Sequence, residues 1–323
     1  MYKIMRAYAQ EIIKIKLQIR FGVCFMESSS SILYNIKFRR VLPYFILPLL
    51  LYFFIVIIPL INSVYYSLNA TYSYKLTWNG IDNYIMLIHD KVFWLSLKNN
   101  FTIILISLVF QVLPAFIIMV ILSTKLIYKS KFVQSVFFFP CIISPLIIAY
   151  VWQIMYDTQT GLINNLLVAI GLGSFQQNWL SNPKIIMLSI GIPLAWQYIG
   201  YFLVILFAGF SNVDKDVLES AEIDGASGFK RSIYIILPLM KTTINVTLLI
   251  CVTGGIKIFD QIYALTGGGP GYASEVLSMY TFTTSFSSGN YGYGSSISIA
   301  MLLISLTIIL ILSKLRGGVK QDG

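Results

Sequence analysis

Few side chains in this 323-residue sequence are of a kind that does chemistry, and fewer are spaced to act together. Lys257 and Asp260 stand three apart, the separation that puts two residues on one helix face. At about 1.5 Å per residue, Lys257 would lie roughly 24 Å along a helix begun at residue 241. Ionisable groups in so apolar a setting want a partner. One reading makes the two, with Asn245 and Gln261, the polar lining of a path for a hydroxylated solute. The other, which their depth favours, makes them an ion pair reaching outward to the interface. Such a solute also needs flat rings beside amides, and Trp152, Trp196, Gln197, Tyr198 and Tyr201 are the candidates. With 21 Tyr and 22 Phe in the chain, most rings must instead serve packing and interfacial belts. Gln111 and Gln153, set within apolar runs, equally suit hydrogen bonds between helices.

Other chemistry is not supported. Cys24, Cys141 and Cys251 are far apart and read as small apolar packers, neither a disulfide framework nor a zinc cluster. His89, the single histidine, has Asp90 beside it but no second His or Cys, so it reads as a solvated loop residue and no metal is expected. The runs GASGFK and TGGGPGY lack the lysine and hydroxyl placement of a phosphate-binding loop, so this chain is not expected to hydrolyse ATP. Neither G-x-S-x-G, H-E-x-x-H nor a carboxylate pair for acid–base work occurs, and no catalytic residue is assigned.

The elements that must position these groups are membrane helices. Hydrophobic residues make up 57% of the chain and charged ones 11%, and the mean hydropathy is +0.78. Spans suited to crossing a bilayer run over 41–61, 99–124, 132–156, 185–210 and 295–313, with a sixth, charge-bearing one over 240–264. Lipid leaves no backbone amide unsatisfied, so long apolar runs mean helices, and the expectation is an all-α protein with six transmembrane helices. Of 23 Lys and Arg, only Lys75, Lys91, Lys98 and Lys184 fall in the loops assigned to the outer side. Both termini are therefore placed in the cytoplasm, with the 123–131 loop and the loop between helices 4 and 5. The net charge of +10 follows the helix ends, and no nucleic-acid partner is expected. Residues 1–36 are basic, lack a signal-peptide core, and suit an interfacial helix; Met26 is a second candidate start.

The polar loop between helices 4 and 5 reads ESAEIDGASGFKRSIYIILP over residues 219–238. Val217, Leu218 and Ala221 make an apolar stripe, while Asp216, Glu219, Ser220 and Glu222 face away. Gly225 is the expected break, Asp224 suits a turn, and a second short helix is expected through Phe229 to Ile236. Pro238 suits the first turn of the next membrane helix. Such a stiff helix–glycine–helix protrusion is what a soluble motor needs to push on a membrane protein.

That run resembles the cytoplasmic coupling loop of ATP-binding-cassette importer permeases, E-A-A, two residues, D-G-A, then a spaced I-x-L-P. Glu219, Ala221, Asp224, Gly225, Ala226, Ile235, Leu237 and Pro238 match; Ser220 and Ser232 depart from it. Ser227 and Arg231 belong to the same loop. Phe259-Asp260, Thr266-Gly267-Gly268-Gly269-Pro270 and Tyr291-Gly292-Tyr293-Gly294, with Trp196 and Gly200 upstream, are similar to the carbohydrate-uptake branch. The resemblance covers about residues 95–315 and divides the chain into a basic segment (1–36), a transmembrane permease body (37–315) and a tail (316–323).

The resemblance implies a multi-pass subunit of a bacterial cytoplasmic (inner) membrane importer, translocating a carbohydrate by alternating access. Its partners would be a second permease subunit, two ATPase subunits holding ATP and Mg, and an extracytoplasmic solute-binding protein. The Gly267–Pro270 turn would lie in an extracytoplasmic loop. The rival classes are an ion-gradient-driven secondary transporter and an ABC permease for a non-sugar solute. The first would show buried carboxylates in both halves, and the second would lack the Thr266–Pro270 segment.

Overall fold

The computed structural model describes residues 38–72, 75–123, 130–226 and 228–316. The chain separates into two units, Met1–Asn62 and Ser63–Gly323. The described part of the first is helix α1, residues 38–62, which continues without a break to Ser67. Its apolar stretch, Tyr44–Ser67, is long enough to cross a membrane. The segment 1–36 and the alternative start at Met26 lie outside the described residues.

The second unit opens with a short antiparallel hairpin, β1 (Asn69–Tyr72) against β2 (Lys75–Trp78), with Asn69 facing Trp78 and Tyr72 facing Lys75. The all-α expectation missed this pair, whose Thr, Tyr and Trp residues are strand formers. After it come α2 (Asp82–His89) and α3 (residues 91–123, with a π turn at Leu108–Val112). Next are α4 (Ser130–Ile142), α5 (Pro145–Met155), α6 (Leu162–Ala169) and α7 (Ile186–Phe210). Two short helices follow, α8 (Lys215–Ile223) and α9 (residues 228–239). The chain ends in α10 (Lys241–Lys257), α11 (Asp260–Leu265), α12 (residues 277–287) and α13 (Tyr291–Arg316).

Four helices are long and apolar enough to cross a membrane: Tyr44–Ser67, Lys91–Ser123, Ile186–Phe210 and Tyr291–Lys314. Two expected spans are broken instead. The run 132–156 is two helices, α4 and α5, bent by 91°. Pro145, with no amide to donate, starts α5, and it holds Ser144 extended at ψ 134. The run 240–264 ends as a helix at Lys257, where Ile258 turns extended at ψ 129, and α11 restarts at Asp260. A further bend of 76° separates α9 from α10. The count is therefore four, or up to six if each bent pair is one span.

Around α7 the helices meet at small residues, as packing without a hydrophobic drive in lipid requires. A Cβ on Gly200 would lie 2.0 Å from the Phe137 carbonyl oxygen of α4, and one on Gly209 would lie 2.3 Å from Thr243 Oγ1 of α10. Three apolar clusters fill the interior of this unit, one with Ile103, Ile186, Ile190 and Ile262, one with Met119, Leu203, Leu206, Ile236 and Met240, and one with Leu87, Phe93, Leu277 and Ile297.

Candidate functional site

The loop over 219–238 folds as its pattern implies, with one change. Asp214 caps α8 by accepting from the amide of Asp216 at 3.0 Å, and Leu218 and Ala221 turn inward to be buried. Val217, expected on the same stripe, is 42% exposed. Gly225 closes the helix in the left-handed conformation, φ +80°. Its amide donates to the Glu222 carbonyl at 3.2 Å and that of Ala226 to the Ala221 carbonyl at 2.9 Å, the paired bonds of a glycine-terminated helix. After the bend, Arg231 on α9 reaches back to Glu222 at 3.6 Å, bracing the two short helices. It is the only ion pair among the described residues. Ser232 is buried and bonds the Gly228 carbonyl at 3.0 Å. Glu219 and Asp224 stay exposed, and Ser227 lies outside the described residues. Pro238 falls in the Leu237–Leu239 turn that ends α9, and the next membrane helix starts after the bend, at Lys241.

A cavity of about 460 Å³ opens among α3, α7, α10 and α11. Of the candidate path residues, Tyr198, Tyr201, Asp260 and Gln261 line it. Trp152, Trp196 and Asn245 do not. Trp152 packs against the apolar core with its ring 6.4 Å from that of Trp196, which is itself exposed. Lys257 also lines the cavity, but the helix break puts it and Asp260 on different helices, so the shared face and the outward ion pair expected of them do not form.

Gln197, at 0% exposure, does not touch the cavity; it orients what does. Its Nε2 donates to the Ile143 carbonyl, freed by the break between α4 and α5, at 3.0 Å. A carbonyl there admits only a donor, so Gln197 must turn its Oε1 toward Gln261, whose Nε2 donates to it at 2.7 Å. Gln261 is left with its Oε1 buried and without a partner at the cavity wall. Gln111, in the π turn of α3, donates to the Leu194 carbonyl at 3.1 Å, and Gln153 to the Ala264 carbonyl at 2.6 Å.

Residues 266–276, between α11 and α12, are held by residues that sequence reasoning passed over. Gly267, Gly268 and Gly271 all have positive φ, and Ser274 Oγ donates to the Gly269 carbonyl at 2.6 Å; Pro270 follows a cis peptide bond. Beneath it, Asn99 donates to the carbonyls of Ala273 and Glu275 at 3.1 and 2.9 Å. Asn100 donates to those of Gly255 and Ile256 at 2.9 and 3.0 Å and accepts from the Leu277 amide at 3.0 Å. It thereby satisfies the end of α10 and the start of α12 at once. Asp90 caps α3 through the Val92 amide and accepts from the Tyr280 and Tyr293 hydroxyls, each at 2.5 Å. Burial acts to raise its pKa, but those two hydroxyls and the backbone amides outweigh it and hold the carboxyl below the usual range. The signal was available in the Asn-Asn pair within an apolar run, since buried amides imply partners. His89, next to Asp90, is exposed at the end of α2.

Residues 102–319 match the family described as binding-protein-dependent transport system inner membrane component. A probable ABC transporter permease protein, YurN of Bacillus subtilis (strain 168), is 36% identical over 258 residues, covering 79% of this chain and 88% of that protein. The trehalose/maltose transport system permease protein MalF of Thermococcus litoralis is 31% identical over 251 residues, covering 76% and 83%. The arabinooligosaccharides transport system permease protein AraP of Bacillus subtilis is 27% identical, covering 88% and 91%. In fold, the chain is similar to one in the crystal structure of a bacterial ABC transporter that imports the acidic polysaccharide alginate, with TM-score 0.77 and 24% identity over 90% of this chain and all of that one. With the family match spanning most of the described chain, and the helix–glycine–helix element in place, this protein belongs to the binding-protein-dependent transport inner membrane components, the permease subunits of ABC transporters.

Proposed function

We propose that the chain is the permease subunit of an ATP-driven importer that carries a carbohydrate across a bacterial inner membrane by alternating access. One observation carries the reading: α7 and α10, which wall the cavity, are the helices that run into α8 and α9. A push on the Gly225 elbow acts directly on the cavity walls. The carbohydrate class is supported by the relatives named for lactose, trehalose/maltose and arabinooligosaccharides and by the polar cavity wall of Gln261, Asp260 and Tyr198. In this reading α4 with α5 makes one span and α10 another, giving six, with both termini and the α8–α9 element in the cytoplasm and residues 266–276 outside. Glu219, Asp224 and Ser227 would meet one of two ATPase subunits, which hold the ATP and Mg. A second permease subunit would close the cavity, and an extracytoplasmic solute-binding protein would deliver to it. The likeness to a chain of the alginate transporter complexed with its periplasmic protein supports that last partner.

The test is purification of the tagged chain from its native membranes in mild detergent, followed by mass spectrometry and reconstitution. An ATPase and a second permease should accompany it in comparable amounts, and uptake should require ATP. A chain that comes out alone and transports without ATP would overturn the proposal.

A further inference from the structure

Residues 157–185, between α5 and α7, form a folded segment whose outward faces are apolar. Buried Asn164 holds it together. Its Nδ2 donates to the carbonyls of Thr158 and Gln177 at 3.3 and 3.1 Å, and its Oδ1 accepts from the Gln177 amide at 3.3 Å and from Trp179 Nε1 at 2.9 Å. Trp179 stacks on Tyr156 with centroids 5.7 Å apart, and the Tyr156 hydroxyl donates to the Ser189 carbonyl of α7 at 2.8 Å. On this frame α6 and its last turn present Leu162, Leu166 and Ile170, four apart and each more than half exposed. Beside them a groove of about 380 Å³ is lined chiefly by Leu167, Leu172, Phe175, Trp179, Ile185 and Leu188.

We propose that this groove takes an acyl chain of an outer-leaflet phospholipid whose phosphate meets Lys184, while α6 lies in the headgroup boundary on its apolar stripe. The inference rests on the six-span topology above, which puts this segment on the outer side, and is independent of the solute carried. Three observations name a lipid as the occupant. First, residues 158–183 contain no Asp, Glu, Lys, Arg or His, whereas the other outward segments carry Lys75, Asp82, His89, Asp90 and Glu275. A water-soluble partner docking here would find no charged rim to steer it. Second, the groove runs onto the exposed apolar sides of the flanking helices. Leu188 of its lining lies in the first turn of the span Ile186–Phe210, and Ile154 ends the exposed face of α5. Third, Lys184 is exposed directly before Ile185 of the lining, and is the sole Lys or Arg between Lys131 and Lys215. A cation next to an apolar slot suits an amphiphile with an anionic head.

The test reconstitutes the full chain, purified from its native membranes with the partners it retains, in phosphatidylcholine vesicles. The probe is phosphatidylglycerol with brominated acyl chains, added in increasing proportion. A Phe175→Cys variant, changed at an exposed ring, carries a bimane fluorophore, and wild type treated alike is the blank. Quenching by bromine should saturate at a low proportion of the probe. Adding Lys184→Ala should move half-quenching to an about fivefold higher proportion, the loss of one surface cation's attraction. The same fluorophore on Leu303→Cys, at an exposed residue of α13, should be quenched in proportion to the probe, without saturation and whatever stands at 184. Quenching at 175 that follows the pattern at 303, or that is absent, overturns the site. Relief of quenching by the solute-binding protein, or cross-linking of the Phe175→Cys thiol to the second permease, gives the groove to that partner and likewise overturns it. Ser174→Cys in intact cells should react with a membrane-impermeant thiosulfonate. Reaction only after the cells are opened would overturn the topology and the outer-leaflet site with it, whereas reaction from outside with unsaturable quenching overturns the site alone.

Discussion

Replacing Gly225 tests whether the elbow between α8 and α9 transmits force. Gly225 sits at φ +80°, and a Cβ added there would meet nothing within 4 Å. The penalty of Gly225→Ala is thus purely one of backbone conformation, about 1–2 kcal/mol for placing an L residue in the left-handed region. No clash and no lost side-chain contact confuse it. Since about 1.4 kcal/mol is tenfold in an equilibrium constant, an ATPase that docks only on the closed elbow should bind roughly 5- to 30-fold more weakly. Asn, which tolerates that region, should cost less than Ala, and β-branched Val more. The assay is ATPase affinity for the purified permease alongside ATP-driven uptake in proteoliposomes. Membrane insertion and solute capture by the binding protein should stay as in wild type. Wild-type affinity and uptake in Gly225→Ala, or Asn as damaging as Val, would refute the argument that the elbow is the coupling element.

Asn100→Ala removes three buried hydrogen bonds and leaves the α10 carbonyls and the Leu277 amide unmet. At about 1–3 kcal/mol for each buried group stranded, the melting temperature in detergent should fall clearly. Asn100→Asp should fall further, because its carboxylate would face two carbonyls. Gly200→Ala would drive a Cβ to 2.0 Å from a backbone oxygen and should destabilise by about 1–3 kcal/mol or more, whereas Gly254→Ala, with nothing within 4 Å, should melt like wild type. Glu275 is buried under Gly268, and burial raises its pKa from 4.5 to about 7. The folded state then keeps a proton that the unfolded chain has released, so this group's contribution to stability declines as pH rises from 4.5 to about 7 and is flat above. Glu275→Gln should remove that decline in melting curves run across the interval; an unchanged slope would mean that the carboxylate is already paired.

What the sequence determined by itself was local. Apolar runs long enough to cross lipid, the basic bias of the loops, and the amphipathic helix ended by Gly225 all follow from neighbours within a few residues, where composition and backbone preference suffice. The breaks were not local. Residues 240–264 read as one span because nothing along the chain shows that Asn100, about 155 positions away, takes the carbonyls of Gly255 and Ile256. That contact ends α10 at Lys257 and parts it from Asp260. Pro145 was visible, yet a proline alone does not say whether a membrane helix kinks or turns through 91°; Gln197, bonding the freed Ile143 carbonyl, is what makes the sharp break tolerable in a medium without water. The same distant bonds decided the site. Trp152, Trp196 and Asn245 have the right chemistry and lie outside the cavity wall, while Gln261 was singled out by type and given its unpartnered oxygen only by Gln197. Residue type sets which groups could meet a solute, and tertiary packing and hydrogen bonding set which of them stand at the cavity wall.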